Sequence, residues 1–205
     1  MPTRPAKRPR RKAKQERSRQ TVQALLEAAA RVLEQRGYAG ATTNRIAETA
    51  GASVGTLYEY FASKEEVYDA LIEQEIATLV SAIQSEDLDP DAPIHHTLGR
   101  VLRQGMRAMR HGPDFMRSLE QVPGAVFRRR LMVARQSVIG FIRQLLEAHH
   151  RELRVADLDL AAFIVVSAAE GIGANASKGL FGDRLAEEIA TLLTLYLTGE
   201  NVRSR

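Results

Sequence analysis

Hydroxyl, amide and ammonium side chains are concentrated in residues 42–64, TTNRIAETAGASVGTLYEYFASK. The chemistry of these groups here is hydrogen bonding. Thr42 or Thr43, and then Ser53, stand where a hydroxyl can accept a bond from the first turn of a following helix. Gly51 lies between them, and glycine tolerates the left-handed backbone that a helix–helix turn requires. The spacing therefore predicts two short helices joined by a tight turn.

The apolar residues of the same segment lie at helical spacing. Leu57 and Phe61 are four residues apart and face inward in the second helix, which is predicted over residues 54–61. Ser63 and Glu66 match the S-x-x-E pattern that begins a third helix. A helix, a glycine turn and a second helix that fits the major groove form a DNA-reading unit.

The specific residues are more informative than the generic pattern. The run IAETAGASVGTLYEYFASKEEVYDALI closely resembles the DNA-binding region of the tetracycline-repressor (TetR) family of bacterial transcription regulators. The resemblance covers roughly residues 20–72, and Ala52 departs from it where valine is usual. It implies an all-α fold of about nine helices. A homeodomain-like, three-helix helix-turn-helix domain would come first, followed by a helical domain for ligand binding and dimerisation.

The resemblance also implies which side chains meet double-stranded operator DNA. Tyr58 and Lys64 match positions that hold the DNA backbone, and the other residues match groove-facing or neighbouring positions. Both tyrosines of the set also fit ordinary half-buried aromatics, and Lys64 also fits a solvated lysine. An ammonium at a helix N-terminus opposes the helix dipole, which favours the phosphate contact. The predicted DNA-binding residues are Thr43, Asn44, Ser53, Val54, Gly55, Thr56, Tyr58, Tyr60 and Lys64.

The composition limits the classes of protein that fit. The chain has 205 residues, 44% of them hydrophobic, which is enough for one sizeable domain or two small ones. No apolar run approaches the ~20 residues of a membrane span, and the basic N-terminus is no secretory signal. The sequence contains no cysteine, which excludes disulfides and thiolate sites. We therefore expect a cytoplasmic protein without a membrane partner.

The net charge of +4 is unevenly distributed. Residues 1–20 hold nine basic residues and one acidic residue, a net charge of +8, so the remainder carries −4. Three prolines and this charge density predict a disordered basic tail over residues 1–16. The tail is either a solubilising segment or, beside a DNA reader, an arm that contacts phosphates or the minor groove.

Helical periodicity continues beyond the tail. The predicted helix-turn-helix domain spans residues 17–63, and its first helix, 17–36, ends at Gly37. The predicted ligand-binding and dimerisation domain spans residues 64–205. Its helices are expected at about 64–84, 94–110, 125–150, 157–178 and 183–197, the last capped by Asp183. A short helix that holds Phe115, Met116 and Leu119 is expected between the second and third of these.

The C-terminal part carries no pattern typical of catalysis or of a cofactor. His95-His96 and His149-His150 are adjacent pairs, and neighbours on a helix point about 100° apart, so neither pair has chelating spacing. We interpret them as solvated or helix-end histidines. The sequence predicts no metal site, no catalytic site and no enzymatic activity.

The eighth predicted helix is apolar nearly all round and rich in small residues, so it must be covered on nearly every side. It is either a core helix of a monomer or, by resemblance, part of a homodimer interface formed by the last two helices. Glu170 interrupts its apolar run, so its carboxylate either pairs with an arginine such as Arg135 or points into a ligand cavity. The candidate ligand-binding residues are Arg103, Phe115, Phe127, Met132, Arg135, Phe163, Ser167 and Glu170.

The sequence thus predicts a transcriptional repressor that a small-molecule inducer releases from its operator. Two alternatives stay open. One is a DNA-binding structural dimer without an inducer. The other is a helical ligand-binding protein or enzyme that has retained the helix-turn-helix.

Overall fold

The computed structural model describes the backbone of residues 10–123 and 125–199, and the side chains of residues 15–123 and 128–199. Across these ranges the regular structure is helical and no strand is present, which confirms the all-α class. The helices are α1 (Arg10–Gly40), α2 (Thr43–Ala50), α3 (Val54–Tyr58), α4 (Lys64–Gln84), α5 (Ile94–Ala108), α6 (Gly112–Leu119), α7 (Ala125–Ala148), α8 (Leu158–Asn175) and α9 (Asp183–Thr198), with a 3₁₀ turn at His150–Glu152 before α8.

The first helix begins earlier than the sequence predicted. It starts at Arg10 instead of residue 17, so residues 10–16 of the predicted tail are helical. Pro9 is the last proline of the N-terminus, and the arginines, lysines, alanine and glutamine that follow it are good helix formers. Residues 1–9 of the predicted tail lie outside the described residues. Gly37 interrupts the helix with φ 64° and ψ 174°, a conformation that suits glycine.

The chain divides into two compact units after Leu71, within α4. The predicted border between residues 63 and 64 lies eight residues before this division. The first two turns of α4 belong to the N-terminal unit because Val67, Tyr68 and Leu71 are buried. The Tyr68 hydroxyl also donates a hydrogen bond to the Ala29 carbonyl of α1, 3.2 Å away. In the same unit, α2 packs on α1 and α3 on α2.

The second unit is built on two helix pairs, α5 with α9 and α7 with α8. Buried residues of all four helices form one core, and α6 packs against α8. Arg103 and Arg107 of α5 form ion pairs with Glu187 and Asp183 of α9 at 2.8 and 2.5 Å. Helices α5, α7, α8 and α9 begin and end within three residues of the sequence-based ranges, and α6 contains the three residues expected in the short helix.

Asp183 does not cap α9 as the sequence predicted. Gly182 occupies the capping position, and because glycine has no side chain, α9 has no side-chain cap. The Asp183 carboxylate instead accepts two hydrogen bonds from the Arg107 guanidinium. A bidentate arginine–carboxylate pair is stronger than a single hydrogen bond from a backbone amide, so the Asp183 carboxylate binds Arg107 instead of capping α9.

Helix α8 is covered on one side only within a single chain. Ala161, Ala162, Val165 and Val166 are buried in the core, whereas Phe163 is exposed. The expectation of cover on nearly every side is therefore not met by one copy of the chain. By length and composition α8 is apolar enough to cross a membrane. Core helices of soluble proteins can be as long and as apolar, so this one helix is weak evidence for a membrane span.

Candidate nucleic-acid interface and ligand cavity

Two side-chain caps and one glycine define the α2–turn–α3 unit. The Thr42 hydroxyl accepts a hydrogen bond from the Arg45 amide at 3.3 Å, and the Ser53 hydroxyl accepts one from the Thr56 amide at 2.9 Å. Gly51 ends α2 in the left-handed region, with φ 68° and ψ 27°. These are the positions that the sequence predicted for the caps and the turn.

Helix α3 ends at Tyr58, three residues before the predicted end at Phe61. The Tyr60 amide bonds to the Leu57 carbonyl, three residues back, which tightens the last turn. The next helix then begins at once, because the Glu66 carboxylate accepts a bond from the Ala62 amide at 2.7 Å and the Ser63 hydroxyl caps α4. This competition for the backbone of residues 59–63 shortens α3.

The nine residues predicted to meet DNA lie in α2, in α3 and directly beside it, and at the start of α4, and none of the nine is buried. Ile46, Ala47 and Leu57 are buried beneath them and fix the two helices to the unit. The hydroxyls of Thr43 and Tyr58 lie 3.3 Å apart and link the start of α2 to the end of α3. The arrangement can present hydrogen-bonding groups from a rigid helix pair to a groove.

Lys64 is engaged within the unit more closely than the sequence suggested. Its ammonium donates a hydrogen bond to the Tyr38 carbonyl at 3.2 Å and lies 3.9 Å from the centre of the Tyr38 ring. An ammonium has three donors, so two remain for a phosphate. The Tyr38 hydroxyl in turn donates to the Glu65 carboxylate at 3.0 Å.

The Tyr38–Glu65 bond is accompanied by shifts in both pKa values. Burial, followed by the bond to Glu65, raises the pKa of Tyr38 to about 12. The backbone amide of Glu65, followed by the hydroxyls of Ser63 and Tyr38, lowers the pKa of the Glu65 carboxyl from its usual value. At neutral pH the phenol therefore keeps its proton and the carboxylate stays ionised, so the bond is charge-assisted.

Arg45 was missing from the sequence-based set. It is exposed on the first turn of α2, next to Asn44, and donates one hydrogen bond to the Gly40 carbonyl. Its remaining guanidinium donors are free to meet a phosphate or a base edge. The sequence did contain a signal for Arg45, because it is an arginine that directly follows Asn44 on a helix predicted to lie near DNA.

A cavity of about 50 Å³ lies inside the second unit, between the C-terminal part of α4 and helices α6, α7 and α8. Its wall is mostly apolar. The aliphatic lining residues are Ile76, Leu79, Val80, Leu131, Ala134 and Val138. This volume accommodates a few water molecules and is well below the ~300–1,000 Å³ of drug-sized ligand sites. A larger ligand would have to widen the cavity.

The cavity brings together three of the eight candidate ligand residues. Phe115, Arg135 and Glu170 line it. Arg135 donates to the Glu170 carboxylate at 2.8 Å and to the Ser167 hydroxyl at 2.6 Å. Glu170 therefore forms the ion pair that the sequence offered as one alternative, and it also lies on the cavity wall.

The other candidates lie elsewhere. Arg103 pairs with Glu187 of α9, and Met132 is exposed, so neither lines the cavity. Phe163 is also exposed, and its ring lies under the Arg135 guanidinium. The distance from the ring centre to the guanidinium carbon, Cζ, is 5.0 Å. Helical spacing alone could not separate the cavity side of α7 and α8 from their outer sides. The Phe127 side chain lies outside the described residues.

Glu75 is a cavity residue that the sequence did not single out. Its side chain is 6% exposed, and its carboxylate is paired with Arg110 at 3.4 Å. An acidic residue within the helix of residues 64–84 is indistinguishable in sequence from a solvated one. Only the packing of α4 shows that Glu75 faces inward.

Two family models match the chain. One is described as bacterial regulatory proteins, tetR family, and matches residues 25–71, which include α2 and α3. The other is described as the tetracyclin repressor-like C-terminal domain and matches residues 93–197. Together they cover both the helix-turn-helix and most of the second unit.

Individual relatives agree with the family models. The transcriptional repressor AcnR of Corynebacterium diphtheriae is 35% identical over 66 residues, which are 32% of this chain and 35% of that protein. The transcriptional activator FasR of Mycolicibacterium smegmatis is 42% identical over 60 residues, 29% of this chain and 27% of that protein. The matches span about a third of the length of these curated relatives.

The fold has solved counterparts. The fatty acid degradation regulator FadR from Bacillus halodurans superposes with a TM-score of 0.69 at 20% identity, over 85% of this chain and 94% of that one.

Proposed function

The chain belongs to the tetR family of bacterial regulatory proteins, and we propose that it is a homodimeric repressor that a small molecule releases from its DNA operator. The observation that supports DNA binding most directly is the capped α2–Gly51–α3 unit, because the nine candidate residues in and beside it are all accessible above a buried apolar base. Such a unit places its second helix in the major groove. The proposed location is the cytoplasm.

The proposed dimer uses the last two helices. Large apolar side chains on them are exposed in the single chain, namely Leu160, Phe163, Leu192 and Leu195. Several large apolar side chains exposed on two helices are typical of an interaction surface. A second copy of α8 and α9 would cover these side chains and place two recognition helices on the two halves of an operator.

The proposed inducer binds in the cavity of the second unit. Helix α4 begins in the first unit and ends in the second, and four of its residues line the cavity: Glu75, Ile76, Leu79 and Val80. A ligand that widens the cavity would displace α4 and alter the spacing of the recognition helices. The resulting coupling free energy is expected to be ~1–3 kcal/mol.

Selection of genomic DNA fragments by the purified protein tests this function. We expect enrichment of an inverted repeat, because a two-fold dimer reads two related half-sites. A variant with Asn44→Ala and Thr56→Ala should lose the enrichment and keep its weak binding to random DNA. Selection of no sequence above random DNA would overturn the proposal. Transcription from the selected promoter, with and without protein, then separates repression from activation.

A second experiment tests the phosphate contacts. Lys64→Ala should lower the slope of log affinity against log salt by about one charge equivalent, on operator and random DNA alike. Tyr58→Phe should weaken both about fivefold without changing that slope, since it removes a neutral hydrogen bond of about 1 kcal/mol. Tyr196→Phe, in the second unit, is the matched control. An unchanged salt slope for Lys64→Ala would remove this lysine from the contacts.

The small cavity favours one alternative, a DNA-binding dimer without an inducer. Its volume of about 50 Å³ would then be a packing defect that no ligand enters. A ligand that lowers operator affinity would exclude this alternative.

A further inference from the structure

The charged groups on the cavity wall are not equivalent. Glu170 is held by Arg135, whose guanidinium also donates to Ser167 and lies over the ring of Phe163. The Arg135–Glu170 distance is 2.8 Å, the length of a good charge-assisted hydrogen bond. The charges of Arg135 in α7 and Glu170 in α8 neutralise each other, so this pair does not favour the binding of a charged ligand group.

Glu75 is the opposite case. Its carboxylate is 6% exposed, and its 3.4 Å bond to Arg110 is 0.6 Å longer than the bond between Arg135 and Glu170. Arg110 is 51% exposed, so much of its guanidinium is already solvated. A buried carboxylate requires a close compensating charge. The bond from Arg110 is longer than the about 2.7–3.2 Å of an ordinary N–H···O hydrogen bond, so the compensation is weak. Arg110 can return to water at little cost.

The wall beside Glu75 is deformable. Met109 and Gly112, at the junction of α5 and α6 beside Arg110, line the cavity together with Met116 of α6. Methionine side chains adapt to new shapes. Gly112 turns the chain with φ 75°, and no atom of the described residues, its own chain neighbours aside, lies within 4 Å of the position that a Cβ would take there. A shift of this junction would enlarge the cavity and withdraw Arg110 from Glu75 in one movement.

We propose that the cavity takes an organic monocation, an ammonium group joined to an apolar body, whose charge replaces Arg110 at Glu75. The aliphatic wall and the ring of Phe115 take the apolar body, and the carboxylate takes the ammonium. This inference rests on the proposed ligand-binding role of the second unit. It adds the sign of the ligand's charge and the residue that selects it.

Three probes of the same shape test the charge directly: 4-phenylbutylamine, 4-phenylbutanol and 4-phenylbutyrate, each titrated calorimetrically into the full chain. We expect the amine to bind about tenfold or more tightly than the alcohol, and the carboxylate to bind more weakly than both. Glu75→Gln should reduce the amine to the affinity of the alcohol. Arg110→Ala should strengthen amine binding, because it removes the competing cation.

Glu73→Gln changes an exposed acid of the same helix that does not line the cavity, so it is the matched control and should leave the preference for the amine intact. Melting curves verify that each variant folds, and Arg110→Ala, which changes a half-exposed residue, tests the proposal even where Glu75→Gln does not fold. Equal affinity for amine and alcohol, a preference for the carboxylate, or binding of none of the probes would overturn the inference. Operator binding by the same preparations shows separately whether the proposed DNA-binding function stands.

Discussion

Val54 differs from the other residues predicted to lie in the DNA groove, because its side chain neither donates nor accepts a hydrogen bond. It is the first residue of α3, directly after the Ser53 cap, and is partly exposed. An apolar contact with a thymine methyl group is the base contact that valine can make. Burying one methyl group contributes about 0.8 kcal/mol, a factor of about four in affinity.

We therefore expect that replacing the contacted thymine by uracil lowers operator affinity about fourfold, and that Val54→Ala removes most of this difference. The thymine is found by replacing each thymine of the half-site in turn and measuring binding by fluorescence anisotropy. The combination of base and side-chain changes forms a double-mutant cycle that isolates the contact. If no replacement of a thymine by uracil in the half-site changes the operator affinity, the methyl contact does not exist.

Residues whose role is local could be predicted from the sequence, whereas residues whose role depends on packing could not. Thr42, Gly51 and Ser53 act on amides and carbonyls within a few residues, so the sequence around them contains the whole interaction. Glu75 and Met132 lie on helices whose apolar spacing looks similar, yet one is buried and the other exposed. Their surroundings are set by helices far away in the chain.

At the scale of elements, Tyr38 joins the end of α1 to the start of α4 inside the first unit. Its hydroxyl donates to Glu65, whose pKa is lowered, and its own pKa is raised to about 12. The lowered Glu65 pKa contributes stability above the usual carboxyl range, and this contribution is lost as the pH falls through the lowered value. The raised Tyr38 pKa contributes stability below its ordinary value of 10.0, which is lost as the pH rises through about 12.

Tyr38→Phe keeps the ring and removes the hydroxyl, so we expect the pKa of Glu65 to rise toward its ordinary value. Carbon-detected NMR titration of the Glu65 carboxyl measures this shift. The loss of stability in the variant should be greatest near neutral pH and should shrink in acid, where protonated Glu65 gains little from the bond. Tyr60→Phe, in the same unit, should show neither effect. A Glu65 titration identical in both proteins would show that the bond does not persist in solution.

Helices α8 and α9 carry the proposed dimer interface, and Leu192 of α9 is 52% exposed in the single chain. Leu192→Arg should weaken the dimer by about 100-fold or more, because each interface would bury two unpaired guanidinium groups. Light scattering during size-exclusion chromatography measures the mass. Leu180→Arg, at a site that is 67% exposed and lies between α8 and α9, is the matched control and should stay dimeric. A Leu192→Arg protein that stays dimeric at low micromolar concentration would place the interface elsewhere.

For the whole molecule, helical periodicity predicted the order and approximate bounds of the helices but not the division into two units. Apolar residues recur along α4 without interruption across Leu71 and Ile72, so nothing in the pattern marks the point where its packing partners change. The start of α1 was predicted too late for a related reason. A charge-rich segment looked disordered by composition, although its individual residues favour helix.

The uneven charge of the molecule leads to the last prediction. Residues 1–15 hold seven basic residues and no acidic one, and among the described side chains of α1, from residue 15 onward, the first buried one is Leu25. Deleting these residues should therefore leave the melting temperature and the dimer unchanged. It should lower affinity for every DNA sequence and flatten the salt dependence by about 0.9 for each phosphate that the protein no longer neutralises. A full-length variant with all seven basic residues replaced by glutamine should match the deletion if charge, rather than length, supplies the effect. DNA affinity that is unaffected by the deletion at low salt would identify the segment as a solubilising extension.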